Sequence, residues 1–235
     1  MANEGSWNQR STGGDTPFKF IGDFNNRASG KAAIRQLREF HSTSATQRVE
    51  EQIWDDMQAG RLAIVDLAHG TGDVSKTISE NTVNFLLSRA NERFRSGQDA
   101  VPFQIVVEEA HNLFERGAKN VAGNPWVRLS KEAAKYQIGL VYATQEVSSV
   151  DQRILSNTSN WLVAHLNSDN ETRELSHYYD FKTWAESIRR VEDQGFVRMK
   201  TYSGKYIVPV QVAKFDHAMI NAARAAGGLP AIEVN

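Results

Sequence analysis

The sequence predicts an α/β fold: a largely parallel sheet flanked by helices, closed by a C-terminal β-hairpin and a terminal helix. Three observations predict it. Short apolar runs rich in β-branched residues alternate with longer stretches of helical periodicity. Two of those runs, over 105–107 and 138–143, stop abruptly at polar side chains. Near the C-terminus, two alternating segments flank Tyr202-Ser203-Gly204, which reads as a hairpin turn. Strands separated by helices need crossover connections, and crossovers make neighbouring strands parallel.

Taken in order, residues 1–16 carry Gly, Ser, Asn and Thr with little apolar content, and 1–30 read as a flexible lead-in to one domain over 31–235. Lys31 to Phe40 and Gln47 to Gln58 have helical spacing, with Ile34, Leu37 and Phe40 and then Val49, Ile53 and Met57 recurring every three to four residues. Gly60 ends the second helix. Leu62 to Leu67 reads as a buried strand, Asp66 to Asp73 as a turn-rich loop, and Ser79 as the cap of a long helix reaching about Ser96. A strand follows over 103–108, then a helix from Trp126 to Tyr136 and a buried strand from Ile138 to Ala143. The pattern continues with a short helix at Asp151–Leu155, a strand at Trp161–Leu166, and helical stretches at Asn170–Tyr178 and Lys182–Arg189. The hairpin then covers Gly195–Thr201 and Lys205–Lys214, and a last helix runs from Asp216 to Ala226.

Composition excludes several function classes. At 235 residues, with 40% hydrophobic and 23% charged residues, the chain can bury a sizeable core. It has no cysteine, so disulfides and thiolate metal sites are absent and a cytoplasmic location is expected. No apolar run approaches the ~20 residues that span a bilayer, so no membrane association is expected. A net charge of −1 gives no global attraction to nucleic acid, and any polyanion contact must come from a local patch or a ring of subunits.

Residues 105–112, Ile-Val-Val-Glu-Glu-Ala-His-Asn, are the most informative segment. A strand buried on both faces reads as such a run, and charge is tolerated only where the strand leaves the sheet. Glu108 and Glu109 are therefore expected at a strand's carboxyl end, where paired acids suit a Mg²⁺-nucleotide and an activated water. A strand running into a charged helix start gives the same pattern, since a helix N-terminus favours acids. The run over 138–143 ends in Thr144-Gln145, which puts a hydroxyl and an amide at the same sheet edge. An amide there can accept from a water and donate to a phosphate oxygen; alone, it is also how an ordinary loop begins.

Together, IVVEEAHN (105–112), RLSKEAAKYQIGLVYATQ (128–145) and residues 151–166 resemble the C-terminal half of HerA/FtsK-type ATPases, and HerA-like DNA translocases above all. The resemblance covers about residues 48–214. It implies a RecA-like core acting as a homo-oligomeric ring, a hexamer, with ATP and Mg²⁺ bound between subunits and double-stranded DNA drawn through the centre. It further implies that Glu108, as the Walker B acid, helps hold Mg²⁺, that Glu109 polarises the attacking water, and that Thr144 and Gln145 face the nucleotide, with Gln145 sensing the γ-phosphate. His111 would link that site to the DNA-moving elements; read alone, it is an ordinary surface histidine. A neighbouring subunit must also supply a cation to the transferring phosphoryl group. Arg153 and Arg128 are the candidates, ahead of Lys131 and Lys135.

One departure from the family is decisive for the expected activity. A phosphate cradle needs Gly-x-x-x-x-Gly-Lys-Ser/Thr, whose backbone amides wrap the phosphates while the lysine neutralises them. The nearest segment, Asn25 to Ala32, has asparagine at the first glycine and alanine at the hydroxyl position. The expectation is the ATPase portion of a translocase, hydrolytic only as part of a longer chain. The alternative is a non-catalytic subunit that forms a ring or recruits a nuclease or other effector protein.

Two basic features suit a polyanion or, equally, plain solvation. Arg27, Lys31, Arg35 and Arg38 share one face if helical. Arg198, Lys200 and Lys205 crowd the hairpin with Tyr202 and Tyr206 and are the candidate DNA contacts. The six histidines show no zinc spacing.

Overall fold

The computed structural model describes residues 47–67, 72–117, 123–191 and 193–232. The chain divides into two units, one ending at Gln52 and one running from Ile53 to Asn235, and the second carries all the strands found among the described residues. The helix expected over Lys31–Phe40 and the basic residues Arg27, Lys31, Arg35 and Arg38 lie outside the described residues.

Helix α1 (Val49–Gln58) is followed by a long helix α2 (Gly72–Arg95), strand β1 (Phe103–Val107), α3 (Pro125–Glu132) and β2 (Ile138–Tyr142). Next come a one-turn α4 (Gln152–Leu155), β3 (Trp161–Val163), α5 (Asp169–Leu175), α6 (Ala185–Arg190), β4 (Phe196–Lys200), β5 (Val208–Gln211) and α7 (His217–Ala226). The chain is thus α/β. β1 and β2 pair in parallel, Val107 opposite Tyr142, as a helical crossover between them requires. β3 pairs antiparallel with β4, and β4 with β5. Among the described residues the parallel pair and the antiparallel strands form two sheets, because the strand at 161–163 joins the hairpin instead of β2.

The main core lies on one face of β1 and β2. Phe114, Leu129, Ile154, Leu155 and Leu175 are buried there with Val107 and Ile138, and Phe114 packs its ring 4.9 Å from Trp126 and 5.4 Å from Tyr142. A smaller cluster of Ile53, Trp54 and Leu86 packs against Phe103 and Ile105. The opposite face of these strands is open, contrary to the expectation of burial on both: Val106 is 62% and Val141 46% exposed. Leu62 to Leu67 is also not a strand. It has no regular secondary structure, with Leu62 and Ile64 each 85% exposed, and it has no ladder partner among the described residues. An apolar run becomes a buried strand only where a neighbouring strand takes its N–H and C=O groups.

The helices follow the spacing read from sequence, with shifted ends. α2 starts well before Ser79, whose hydroxyl donates back to the Lys76 carbonyl at 2.8 Å within the helix. α3 begins one residue before Trp126, because Pro125 fits the first turn and the Asn124 side chain accepts from the Trp126 and Val127 amides. Its far end tightens into a 3-10 turn over Ala133–Tyr136. No helix among the described residues is long and apolar enough to cross a membrane.

Candidate functional site

The site is built where β1 and β2 end together. The ladder continues past both strands: the Ala143 amide donates to the Val107 carbonyl and the Ala110 amide to the Ala143 carbonyl, each at 2.9 Å. This registers residues 108–111 beside 143–145. Gln145 Nε2 donates to Glu109 Oε1 at 3.4 Å. His111 Nδ1 lies 3.4 Å from Glu109 Oε2 and 3.2 Å from Thr144 Oγ1, while the Glu146 amide donates to that hydroxyl at 3.1 Å. Glu109, His111, Thr144 and Gln145 therefore form one cluster, and both Glu109 and Gln145 reach solvent. Glu108 sits at the same strand end, exposed, with no hydrogen bond or ion pair among the described residues.

The backbone at Glu109 is left-handed, φ 49° and ψ 48°. For a residue with a Cβ this conformation costs of order 1–3 kcal/mol, and the surrounding structure must hold it. The hold is visible: Ala110, directly after it, is fully buried and tied to β2, and a 3-10 turn over Ala110–Asn112 leads to the buried Phe114. Nothing in the sequence marks this strain, since glutamate carries none of the glycine or asparagine signal for positive φ.

Downstream contacts clamp both site segments. The Arg116 amide donates to the Ser149 carbonyl at 2.9 Å and the Asp151 amide to the Phe114 carbonyl at 2.7 Å. The buried Glu171 of α5 accepts from the Ser148 amide at 2.8 Å and its hydroxyl at 2.6 Å. Glu174, one turn on, pairs with Arg116 at 3.1 Å and accepts from Tyr178 at 3.1 Å. Burial pushes the Glu174 carboxyl up, but the bonds from Arg116 and Tyr178 outweigh it and hold it below its ordinary range. These two carboxylates were absent from the sequence-based candidates. The only sign of them was their three-residue spacing on a helix.

The remaining candidates lie apart from this cluster. Arg153 is bound to Asp151, its Nη2 at 2.5 Å and its Nε at 2.9 Å from the carboxylate, and Arg128 donates to Glu132 at 3.3 Å within α3. Arg198 corrects an expectation: it is fully buried, donating to the carbonyl and hydroxyl of Ser187 and lying over the Phe196 ring. Burial pushes its guanidinium below the ordinary value. A side chain so enclosed cannot grip a phosphate. Lys200 donates to the carbonyls of Thr201 and Gly204 at 2.8 Å each, which fastens the hairpin turn. Of the three expected DNA contacts only Lys205 is exposed.

Asp151 carries a pH prediction. Hydrogen bonds from Arg153 hold its carboxyl below the ordinary value against the opposing effect of burial. A depressed folded value stabilises the fold above the unfolded carboxylate range, and that stability is lost as pH falls through the folded value. Asp151→Asn is therefore expected to be less stable than the native chain at pH 7. The gap should close in acid below about pH 4, the unfolded aspartate value. Urea melts across that range check it; a gap independent of pH would contradict it.

No protein-family model matches the chain. Among curated relatives, a DNA double-strand break repair helicase HerA of Sulfurisphaera tokodaii is 23% identical over 111 residues, covering 46% of this chain and 22% of the relative. That of Saccharolobus solfataricus is 22% identical over 172 residues, 66% of this chain and 34% of the relative. The matches thus span about a fifth to a third of those proteins' length. A solved genome packaging NTPase, B204 of Sulfolobus turreted icosahedral virus 2 in complex with sulfate, aligns with a TM-score of 0.50 at 14% identity, over 73% of this chain and 74% of that one. The chain is HerA/FtsK-like. In this HerA-like chain the acidic strand and the Thr-Gln strand are the parallel neighbours β1 and β2, and the polar residues that end them meet at one rim.

Proposed function

We propose that this chain contributes the acidic and sensor side of an ATP site in a HerA-like DNA translocase, coupling hydrolysis to movement of double-stranded DNA. The observation that carries the reading is the contact of Gln145 with Glu109 at the joint end of two parallel strands. In this reading Glu109 takes the proton of the attacking water, Gln145 meets the γ-phosphate, and His111 and Thr144 fix the orientation of Glu109. Glu108 would hold Mg²⁺. The donor set fits that ion, because Mg²⁺ keeps several waters and takes one or two carboxylates plus phosphate oxygens. No cluster of three or more ligating side chains occurs among the described residues, and none is needed. When bound, Mg²⁺ would neutralise charge developing on the phosphates.

The reading includes a homo-oligomeric ring, a hexamer, with an arginine such as Arg153 or Arg128 reaching the neighbour's nucleotide. Arg153 would have to leave Asp151 to do so. A second reading is favoured by one observation: the 235 residues contain no Gly-x-x-x-x-Gly-Lys-Ser/Thr loop. In that reading the chain is a non-catalytic ring subunit that recruits a nuclease or other effector.

ATP turnover by the full-length gene product separates the two. Mg²⁺-dependent hydrolysis that rises with added duplex DNA is expected for the first. No hydrolysis and no ATP binding, with an intact oligomer on sedimentation, would leave the second.

A further inference from the structure

The positive charge that the hairpin does not offer is gathered at the C-terminal end of α2. Its last turns carry Arg89, Arg93 and Arg95, and α3 with its 3-10 extension adds Arg128 and Lys135. Glu92 and Glu132 share this surface, and Asp99 lies in the next loop. A groove of about 480 Å³ runs between the helices, lined by Ser88, Asn91, Glu92, Arg95, Ser96 and Arg128. A second groove of about 270 Å³ shares Glu92 and Ser96 with it and adds Arg89 and Arg93.

Arg95, Arg128 and Arg89 are held loosely, whereas Arg93 Nε donates to the Asp99 carbonyl at 2.9 Å. Arg95 makes no hydrogen bond or ion pair among the described residues. Arg128 is 40% exposed with one contact to Glu132 at 3.3 Å, and Arg89 meets Glu92 at 3.4 Å. Exposed pairs of this kind are worth little, so a polyanion can compete for the guanidiniums. The negative end of the α2 dipole accounts for basic residues in its own last turn, but not for Arg128 and Lys135 brought in from a second element. Residues 88 to 96 cover roughly 12 Å of helix axis, the span of about three to four phosphates on one DNA strand.

We propose that this groove is a binding site for the phosphodiester backbone of duplex DNA, held by Arg95 and Arg128 with Arg89 and Arg93 alongside. Ser88, Asn91 and Ser96 supply neutral hydrogen-bonding groups, and contact to the backbone alone carries no base specificity. The choice of DNA as the polyanion rests on the translocase reading. This assignment leaves Arg153 as the arginine for the neighbour's nucleotide, and because the site is tested without nucleotide, its failure would leave the Glu109–Gln145 rim untouched.

The test is fluorescence anisotropy of the full-length protein with a labelled 20-base-pair duplex, without nucleotide, from 50 to 200 mM salt. Arg95→Gln with Arg128→Gln is expected to weaken binding at least tenfold at 100 mM salt. The slope of log affinity against log salt should become shallower by about 2, one for each phosphate no longer neutralised. Arg95→Lys with Arg128→Lys should keep most of the affinity, since a backbone phosphate accepts a point charge. That outcome separates charge from damage to the fold. Arg190→Gln, which removes an arginine on α6 that is more exposed than Arg128, should change affinity less than twofold. Native affinity and slope in the double glutamine variant, equal weakening by Arg190→Gln, or no duplex binding by the native protein at 50 mM salt would each overturn the proposal.

Discussion

Glu109→Gln is expected to lower ATP turnover of the full-length protein by about 10²–10⁴-fold, the usual worth of a positioned general base, while ATP affinity stays within a few-fold. The amide keeps the length of the side chain and can still accept from Gln145 Nε2, now 3.4 Å from Glu109 Oε1, so the rim retains its shape. It cannot take a proton from water. Steady-state hydrolysis beside equilibrium binding of a fluorescent ATP analogue checks both halves. Native turnover in the variant would remove Glu109 from the chemistry. The left-handed backbone adds a second arm, because glycine adopts φ 49° without the Cβ penalty. Glu109→Gly should gain stability of order 1 kcal/mol and still lose turnover, the signature of strain kept for function.

Phe114→Ala should cost about 3–5 kcal/mol, the loss expected for truncating a fully buried aromatic side chain. The ring is fully buried and packs against Trp126 and Tyr142, so it joins the turn after Glu109 to α3 and β2 at one point. Its carbonyl also accepts from Asp151. The cavity left behind would loosen the same turn that holds Glu109, and both unfolding midpoint and turnover should fall. Chemical denaturation of the purified variant measures the first; an unchanged midpoint would show that the ring is not central to the core.

Particular residues explain what the sequence could and could not tell. Helical periodicity and the polar ends of two apolar runs were enough to place α1 to α7 and the parallel pair, because each signal is local. Asn124-Pro125 was a readable start for α3, one residue ahead of the predicted one. The run at 62–67 misled because apolar side chains state a preference for burial without supplying a partner. The strand at 161–163 misled because strand–helix alternation does not say which sheet a strand joins. Arg198 lies two residues from Lys200 on an alternating strand, but alternation does not name the buried face. The clamp from Glu171 and Glu174 depends on pairs 23 and 58 residues apart, which only the folded chain brings together.

A crystal structure of the full-length protein with Mg²⁺ and a non-hydrolysable ATP analogue would decide whether the rim is an ATP site. The γ-phosphate is expected within hydrogen-bonding distance of Gln145 Nε2, with the Glu109 carboxylate facing the water in line with it and Glu108 on the metal side. A nucleotide bound elsewhere, with Glu109 and Gln145 still closed on one another, would contradict that assignment.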